Sequence, residues 1–571
     1  MNREDIETSE VWQLYEKGRN YLRLMNVYSD TDRNYRFYNG NQWEGVKLVG
    51  VEPVQKNFIK PIVKYKQAVI HSNLYAINYS SQNFESNEFN KEAEKYCQML
   101  NRYASRIWEK DKMDFKGRKI TKDAAVNDEG ILYVYFDESI MLPVNEIIKK
   151  SDVYYGNEND EDIQSQPYIL IRKRMPVVNA VELAMSQGLS EENTQFIVGD
   201  KDNFEESGQA AKYELDDMVT IIYKLYKKEG TVHFSMATKW ITITENKDTG
   251  LKLYPVAHFT WEEREGSARG EGEVRYLIPN QIEVNKTEMR RVLTVKNQAY
   301  PHKVVNVSKV QNPDALNTVG GVIKTDDASV EDVNKAVGII TPAQMSPDVK
   351  ALQDDLISMS RELAGAGEAA SGSVDPQDAS GRAILAVQQA SQAPMTEQKE
   401  AYKNFIEDVA KIWLEFLIVN SANGINMEQE VTDPATGEEF IRIVNVPQIT
   451  LEKLKATVKV DITPKSPYDR FAQEQTIENL LIQGFFSSQR VGELEKYEEA
   501  LDDDSVAPKM KIKAIVDKTK EEQRKITMLD AQAQIMQHNV NRFLNTDAPT
   551  QARQLMEAQM MQQPSVMASE M

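Results

Sequence analysis

The residues able to do chemistry are scattered. His71, His233, His258, His302 and His538 each lack a second His or a Cys at the spacing that builds a zinc site. The single cysteine, Cys97, excludes an internal disulfide and a CxxC pair, and fits a packed thiol in a reducing compartment. No GxSxG, HExxH, GxGxxG or GxxxxGK[ST] string occurs. The acidic run SDVYYGNENDEDIQS (151–165) misses the Gly and the closing Glu of an EF-hand, so a solvated loop is expected. Asp502-Asp503-Asp504 reads as a capping loop. Tyr35, Phe37, Tyr38 and Trp43 could stack on bases, but no basic stripe accompanies them, so they read as packing. Carboxylates are abundant, yet none stands out as a paired acid and base. The expectation is a non-enzyme with no metal and no cofactor.

One local signal runs against the composition. The chain has 571 residues with 68 Lys and Arg against 88 Asp and Glu, a formal charge of −20. Within it, Lys286, Arg290, Arg291 and Lys296 cluster on one stretch. They either solvate a helix face and bridge to neighbours, or face nucleic-acid phosphates. The overall acidity argues against a tight, static nucleic-acid clamp. It does not exclude a protein past which DNA slides. Hydrophobic residues make up 41%, enough for a core, and mean hydropathy is −0.54. No window approaches 18 apolar residues, so nothing spans a membrane. The start, MNREDIETSE, lacks an apolar h-region and is not read as a signal peptide.

The elements that must position these residues read as α+β, mainly helical. Residues 10–45 open with a helical pattern and continue into an aromatic, turn-rich segment at 35–43. Asn57–Asn73 is a helix with Pro61 in its first turn. Residues 90–127 are helical, and 131–136 form a strand after Gly130. Strands at 168–172, 219–226, 231–236 and 240–244 complete an α+β region to about 265. Gly266, Gly270 and Gly272 lead into a helix in which Pro279 is placed in the first turn and Ile282, Met289, Leu293 and Lys296 follow one stripe. Tyr300-Pro301 ends it. A compact β-rich insert follows, with strands at 302–310, 319–323 and 337–340. Ser346-Pro347-Asp348 starts a second helix whose narrow apolar seam is Val349, Leu352, Leu356, Met359 and Leu363, suited to the first rod or a neighbouring subunit. Residues 365–381 (GAGEAASGSVDPQDASG) are a small-residue loop. Residues 381–420 read as one helix of about 60 Å, bent at Pro394. Further on come strands at 440–446 and 457–462 and helices at 471–481 and 488–524. A heptad seam follows (Ile526, Leu529, Ala533, Met536, Val540, Phe543), then a frayed end at 545–571.

The run from Gly270 to Leu417 resembles the portal proteins of tailed bacteriophages. The likeness is carried by EGEVRYLIPNQIEVNKTEMRR (271–291), the loop before SGRAILAVQQAS (380–391), and the long helix beyond it. VDITPKSPYDRFAQEQTIENLL (460–481) resembles the family's following segment, and the length and C-terminal helix lean to the P22-like type. The resemblance implies a closed ring of about twelve subunits at one capsid vertex. It implies a wing (1–265), a first stem helix (266–300) and a clip (301–342). A second stem helix (343–364), a tunnel loop (365–381), a long kinked wing helix (382–422), a wing-closing segment (423–486) and a crown (487–571) follow. The ring would pass double-stranded DNA weakly and without sequence preference, in packaging and in ejection. Its other partners would be the major capsid protein and scaffold, the terminase, and the head–tail adaptor or tail proteins. It would reside in the virion after synthesis in the bacterial cytoplasm. Lys286, Arg290 and Lys296, with Ser371, Ser373 and Ser380, are the expected channel residues. His302, Lys303, Lys309 and Lys324 are the expected clip contacts. The tunnel loop departs from a DNA gripper, having no Lys or Arg between Gly365 and Gly381. Two other readings stay open: a helical virion scaffold protein without a channel, and a nucleic-acid enzyme with a dispersed carboxylate–metal site.

Overall fold

Ser9 opens the first helix: its Oγ accepts the Trp12 N–H at 3.3 Å and caps α1 (Glu10–Leu24). Val11, Trp12, Tyr15 and Leu22 of α1 pack with Tyr154, Leu170 and Ile222. α2 (Val27–Asn39) runs through Tyr35, Phe37 and Tyr38 and stops at Gly40, whose φ of +93° suits a left-handed cap. The segment expected to be turn-rich is thus helical to Asn39, because Phe37 and Tyr38 are needed in the core. This is seen in a computed structural model that describes residues 8–48, 51–81, 87–200, 217–318, 320–325, 336–342, 344–367, 393–421, 425–432, 439–448, 451, 456–464, 509–544 and 550–562. The chain forms two units, Met1–Thr463 and Pro464–Met571.

In the first unit, α3 (Ile59–Ile70) holds Pro61 in its first turn, as expected. β1 (Asn73–Ser81), α4 (Asn87–Lys110) and α5 (Met113–Asn127) follow. β2 (Glu129–Asp137) lies between β3 (Leu142–Ile148) and β9 (Val256–Thr260), antiparallel to both. A five-stranded antiparallel sheet takes its strands in chain order: β4 (Val153–Tyr155), β5 (Tyr168–Pro176), β6 (Met218–Lys228), β7 (Thr231–Ala237) and β8 (Thr242–Asp248). Between β5 and β6 the chain forms α6 (Val177–Ser186) and α7 (Glu191–Thr194). Ala180 and Ala184 of α6 pack on Val219, Ile221 and Met236. The described chain is α+β, as expected.

α8 (Glu273–Ala299) begins six residues before Pro279, which therefore sits inside the helix and not in its first turn. Its missing N–H leaves the Arg275 carbonyl without a ladder partner. Among the described residues of the insert beyond α8, the strands are β10 (Lys303–Val305) and β11 (Val337–Ile339), paired antiparallel. The expected strand at 319–323 is absent among its described residues, and Gly320 turns there with φ +75°. α9 (Asp348–Leu363) starts within one residue of the expected cap, and the Ser346 hydroxyl accepts the Asp348 N–H at 3.3 Å.

α10 (Thr396–Val419) starts after a 3-10 turn at Ala393–Met395. Pro394 precedes this helix and does not bend it. Its expected apolar face holds: Tyr402, Phe405, Ile406, Val409, Ile412, Trp413, Phe416 and Leu417 are all buried. Tyr402 and Phe405 meet Phe259 of β9, and the Trp413 indole donates to Asn145 of β3 at 2.9 Å. β12 (Ile425–Thr432), not foreseen, forms a hairpin with β13 (Glu439–Val446), and β14 (Ala456–Pro464) returns to pair with β1.

The second unit contains α11 (Lys509–Leu544) and α12 (Thr550–Gln562), so residues 550–562 are helical where fraying was expected. Ile526, Leu529 and Met536 of the heptad seam are exposed. The expected helix at 471–481, the first part of that at 488–524 with Asp502–Asp504, and residues 381–392 lie outside the described residues, as does most of the loop at 365–381. Among the described residues no helix is long and apolar enough to cross a membrane.

Candidate channel and docking surface

α8 is rooted in a buried ionic cluster. Gly272, its cap residue, lies so close to the end of α5 that an added Cβ would meet the Asp128 nitrogen at 2.8 Å and the Ala124 oxygen at 3.0 Å. That closeness lets the Gly272 N–H donate to Asp128 Oδ1 at 2.7 Å. Asp128 is held at φ +78°, an unusual value for a side chain bearing a Cβ. Lys150 Nζ donates to its Oδ2 at 2.5 Å, and the Trp261 N–H donates to its carbonyl at 3.0 Å. The surroundings thus over-determine the strained conformation. Next to it, the fully buried Glu129 accepts from His258 Nε2 at 2.6 Å and Arg269 Nη1 at 2.7 Å. Burial opposes the charged form of Glu129, but Arg269, His258 and Lys150 outweigh it and hold its carboxyl at about 2. Arg269 also reaches Glu158 at 2.7 Å. At the first residue of the helix, Lys66 pairs with Glu273 at 2.6 Å, both nearly buried.

The stretch 151–165 is therefore not merely a solvated loop. Tyr154 and Tyr155 are buried in β4, Glu158 holds Arg269, and Glu161 accepts the Gly266 N–H at 2.6 Å. Among the described residues no cluster of three His, Cys, Asp or Glu could hold a metal ion.

Amides fasten the first half of α8. Gln281 Oε1 accepts the Phe58 N–H at 3.0 Å, and its Nε2 donates to the Lys56 carbonyl and to Asn285 Oδ1, both at 2.9 Å. Asn285 in turn donates to Gln42 at 2.5 Å. The expected stripe is only half right: Ile282 is partly buried, and the core side of α8 is Val274, Leu277, Ile278, Gln281 and Val284. Past Thr294 every residue of α8 is exposed, Val295 included.

α9 meets α8 through polar rungs. Asn280 Nδ2 donates to Ser360 Oγ at 3.0 Å. Arg291 reaches Glu288 at 3.0 Å and Gln353 at 2.6 Å, and Gln353 donates back to Glu288 at 2.6 Å. The inward face of α9 is thus Gln353 (0% exposed), Ile357 and Ser360 (1%). Of its apolar seam, Leu352 (56%), Met359 (60%) and Leu363 (78%) are exposed, whereas Val349 is partly buried and Leu356 packs in part against the core. Most of the α9 seam therefore does not pack on the first rod.

The expected channel cations stand apart from one another. Lys286, partly buried, pairs with the exposed Glu283 at 2.7 Å, and Lys296 with Glu52 at 3.2 Å, both exposed. Arg290 is exposed, without an ion-pair partner among the described residues. Arg291, grouped with these cations by sequence, instead links the two rods. In the insert, His302 is exposed and its carbonyl accepts the Ile340 N–H at 2.9 Å. Lys303 Nζ donates to the Leu316 carbonyl, Lys309 is partly buried, and the Lys324 N–H donates to Asn312 Oδ1 at 2.7 Å. Val304, Val307, Val322, Ile339 and Ile340 are exposed there. Ser371, Ser373 and Ser380 lie outside the described residues. The structural residues that sequence reading missed are Glu129, Arg269, Gln281 and Asn285. The i,i+4 amide pair on the inward side of α8 was the one available signal.

The family model described as "Phage P22-like portal protein" matches residues 168–570, well over half of the chain and including both rods, the insert and α10. The chain belongs to the phage P22-like portal protein family. As a portal protein it is a structural component of the virion, at the head-to-tail connection of a phage capsid, in a family whose role is not enzymatic. Among solved structures, 81 chains match. One is titled "Neck of empty GTA particle computed with C6 symmetry"; it is 10% identical, with a TM-score of 0.34, over 80% of this chain and 91% of that one. No curated relative matches.

Proposed function

We propose that copies of this portal protein close into a ring of roughly twelve around duplex DNA. The ring is the channel for genome packaging and ejection. The observation that carries this reading is the orientation of α9: Gln353 and Ser360, with Ile357, face inward, and Leu352, Met359 and Leu363 of the seam face outward. A helix arranged in this way has no use for that seam in a solitary chain. A closing heterologous contact gives it one.

In this reading residues 1–265, 382–422 and 423–486 form the wing and 266–300 and 343–364 the stem. Residues 301–342 are the clip, 365–381 the tunnel loop and 487–571 the crown. The exposed Ile526, Leu529 and Met536 of the α11 heptad seam suit association in a crown. The exposed valines and isoleucines of 301–342 suit a docking surface for the terminase and later the head–tail adaptor or tail proteins, with His302, Lys303, Lys309 and Lys324 at its polar positions. The wing meets the major capsid protein and scaffold. The protein is made in the host cytoplasm before it joins the capsid. DNA contact is weak and non-specific: the net charge of −20 repels phosphates while a few cations among Lys286, Arg290 and Lys296, with the loop serines, centre the duplex. No metal, cofactor or reaction step is part of it.

Electron microscopy of the purified protein in negative stain tests the reading. Rings with a central hole wide enough for duplex DNA are expected. Monomers under all conditions, or bundles without a bore, overturn it.

A further inference from the structure

The two rods carry opposite charge. α8 has five basic and three acidic residues (net +2), and α9 has two basic and four acidic (net −2). The charges are also ordered. On α9, Asp348, Asp355 and Glu362 recur every seven residues, so they form one exposed line along the helix, beside Leu352 and Met359 of the apolar seam. On α8, Asn280, Glu288 and Arg291 face α9, and Val274, Leu277, Ile278 and Gln281 face the core. At 100° per residue, Arg275, Pro279, Glu283, Lys286 and Arg290 fall on the remaining side, three cations against the one carboxylate of Glu283, which pairs with the partly buried Lys286; the others are exposed. The rod pair thus has an acid-edged apolar flank on α9 and a basic flank on α8. Neither flank is covered by the described residues of the chain.

We infer that the α9 flank of one copy seats on the basic flank of α8 in the next copy. Leu352, Met359 and Leu363 lie against the apolar stems of Lys286 and Arg290, and Asp355 and Glu362 answer their charges. This rests on the ring reading above and specifies which surfaces close it. It also narrows the DNA path. A cation that answers a neighbour's carboxylate is not available to a phosphate, so of the three expected stem cations Lys296 is the one left for the channel.

Charge reversal on the full-length protein tests this, read by native mass spectrometry and negative-stain imaging. Lys286→Glu with Arg290→Glu should lower ring yield about tenfold, as should Asp355→Lys with Glu362→Lys, and the fourfold variant should recover it. Circular dichroism and melting of each variant check the fold. A second readout stands apart from charge: Lys286→Cys with Met359→Cys should give a ladder of disulfide-linked oligomers on oxidation, and neither single cysteine should. Rings that form equally in wild type and both double variants, or no ladder from assembled rings, overturn the inference and leave the ring reading standing. A wild-type protein that never forms rings removes both.

Discussion

Glu129 carries the largest electrostatic load of any single residue near the base of α8. Its buried carboxylate is shared by Arg269 and His258, so its charge depends on both partners. In the unfolded chain this carboxyl takes up its proton near 4.5, whereas in the fold it does so at about 2. The unfolded state therefore binds the proton first as pH falls. The stabilisation is complete above about 4.5 and is lost as pH drops towards 2. Glu129→Gln should remove that acid-dependent slope from urea titrations and cost about 3–5 kcal/mol at neutral pH, since Arg269 stays buried with one carboxylate fewer. An unchanged slope between pH 5 and pH 3 (a window set by the same linkage) would sink this account. Cys97 offers a contrasting case. Burial, with Glu94 nearby, pushes its thiol up to about 11, so it is protonated and inert at neutral pH. The native protein should react with a maleimide only at its unfolding rate. Labelling within seconds of mixing would show the thiol to be open.

At the level of elements, the start of α8 is set by backbone closeness. Gly272→Ala puts a methyl against the backbone of Asp128 and Ala124, where no flexible side chain can yield. The expected cost is about 1–3 kcal/mol, with a lowered melting temperature and no change in surface charge. A melting curve that matches wild type would mean that α5 gives way instead. The same place shows what a sequence conceals. The helices, most strands and the apolar face of α10 were legible because their periodicity is local. Pro279 was misplaced because the true start of α8 depends on a contact with Asp128, more than a hundred residues earlier. The five residues at 319–323 looked like a strand from Val and Ile alone, but such residues form one only where a partner strand takes up their backbone groups. β12 was missed because Met427, Glu428 and Gln429 dilute its apolar pattern. The seam of α9 was legible, but whether it faced its own chain or another was not. That was decided by Gln353 and Ser360, polar residues that no hydrophobic pattern would place inward.

For the whole molecule, the proposed ring puts the demands of assembly and of DNA passage on the same short rod. Its first half is locked by buried amides and ion pairs, while beyond Thr294 it stands in solvent. Substitutions in the second half should therefore leave folding of the subunit nearly untouched, within about 0.5 kcal/mol. Lys296 separates the two demands. Its pair with Glu52 is exposed at both ends and so adds little to stability. Lys296→Glu should melt like wild type and still form rings, because it lies outside the flank assigned to subunit contact. In an infected cell or a defined packaging reaction it should package less DNA per capsid, since a reversed charge adds repulsion where the bore is meant to centre the duplex. The loss should grow as salt is lowered and shrink as salt is raised, following the screening of exposed charges over about 10 Å at 0.1 M. Normal packaging at low salt would mean that Lys296 faces away from the DNA. Failure of the variant to form rings would instead place it in the subunit contact, with Lys286 and Arg290.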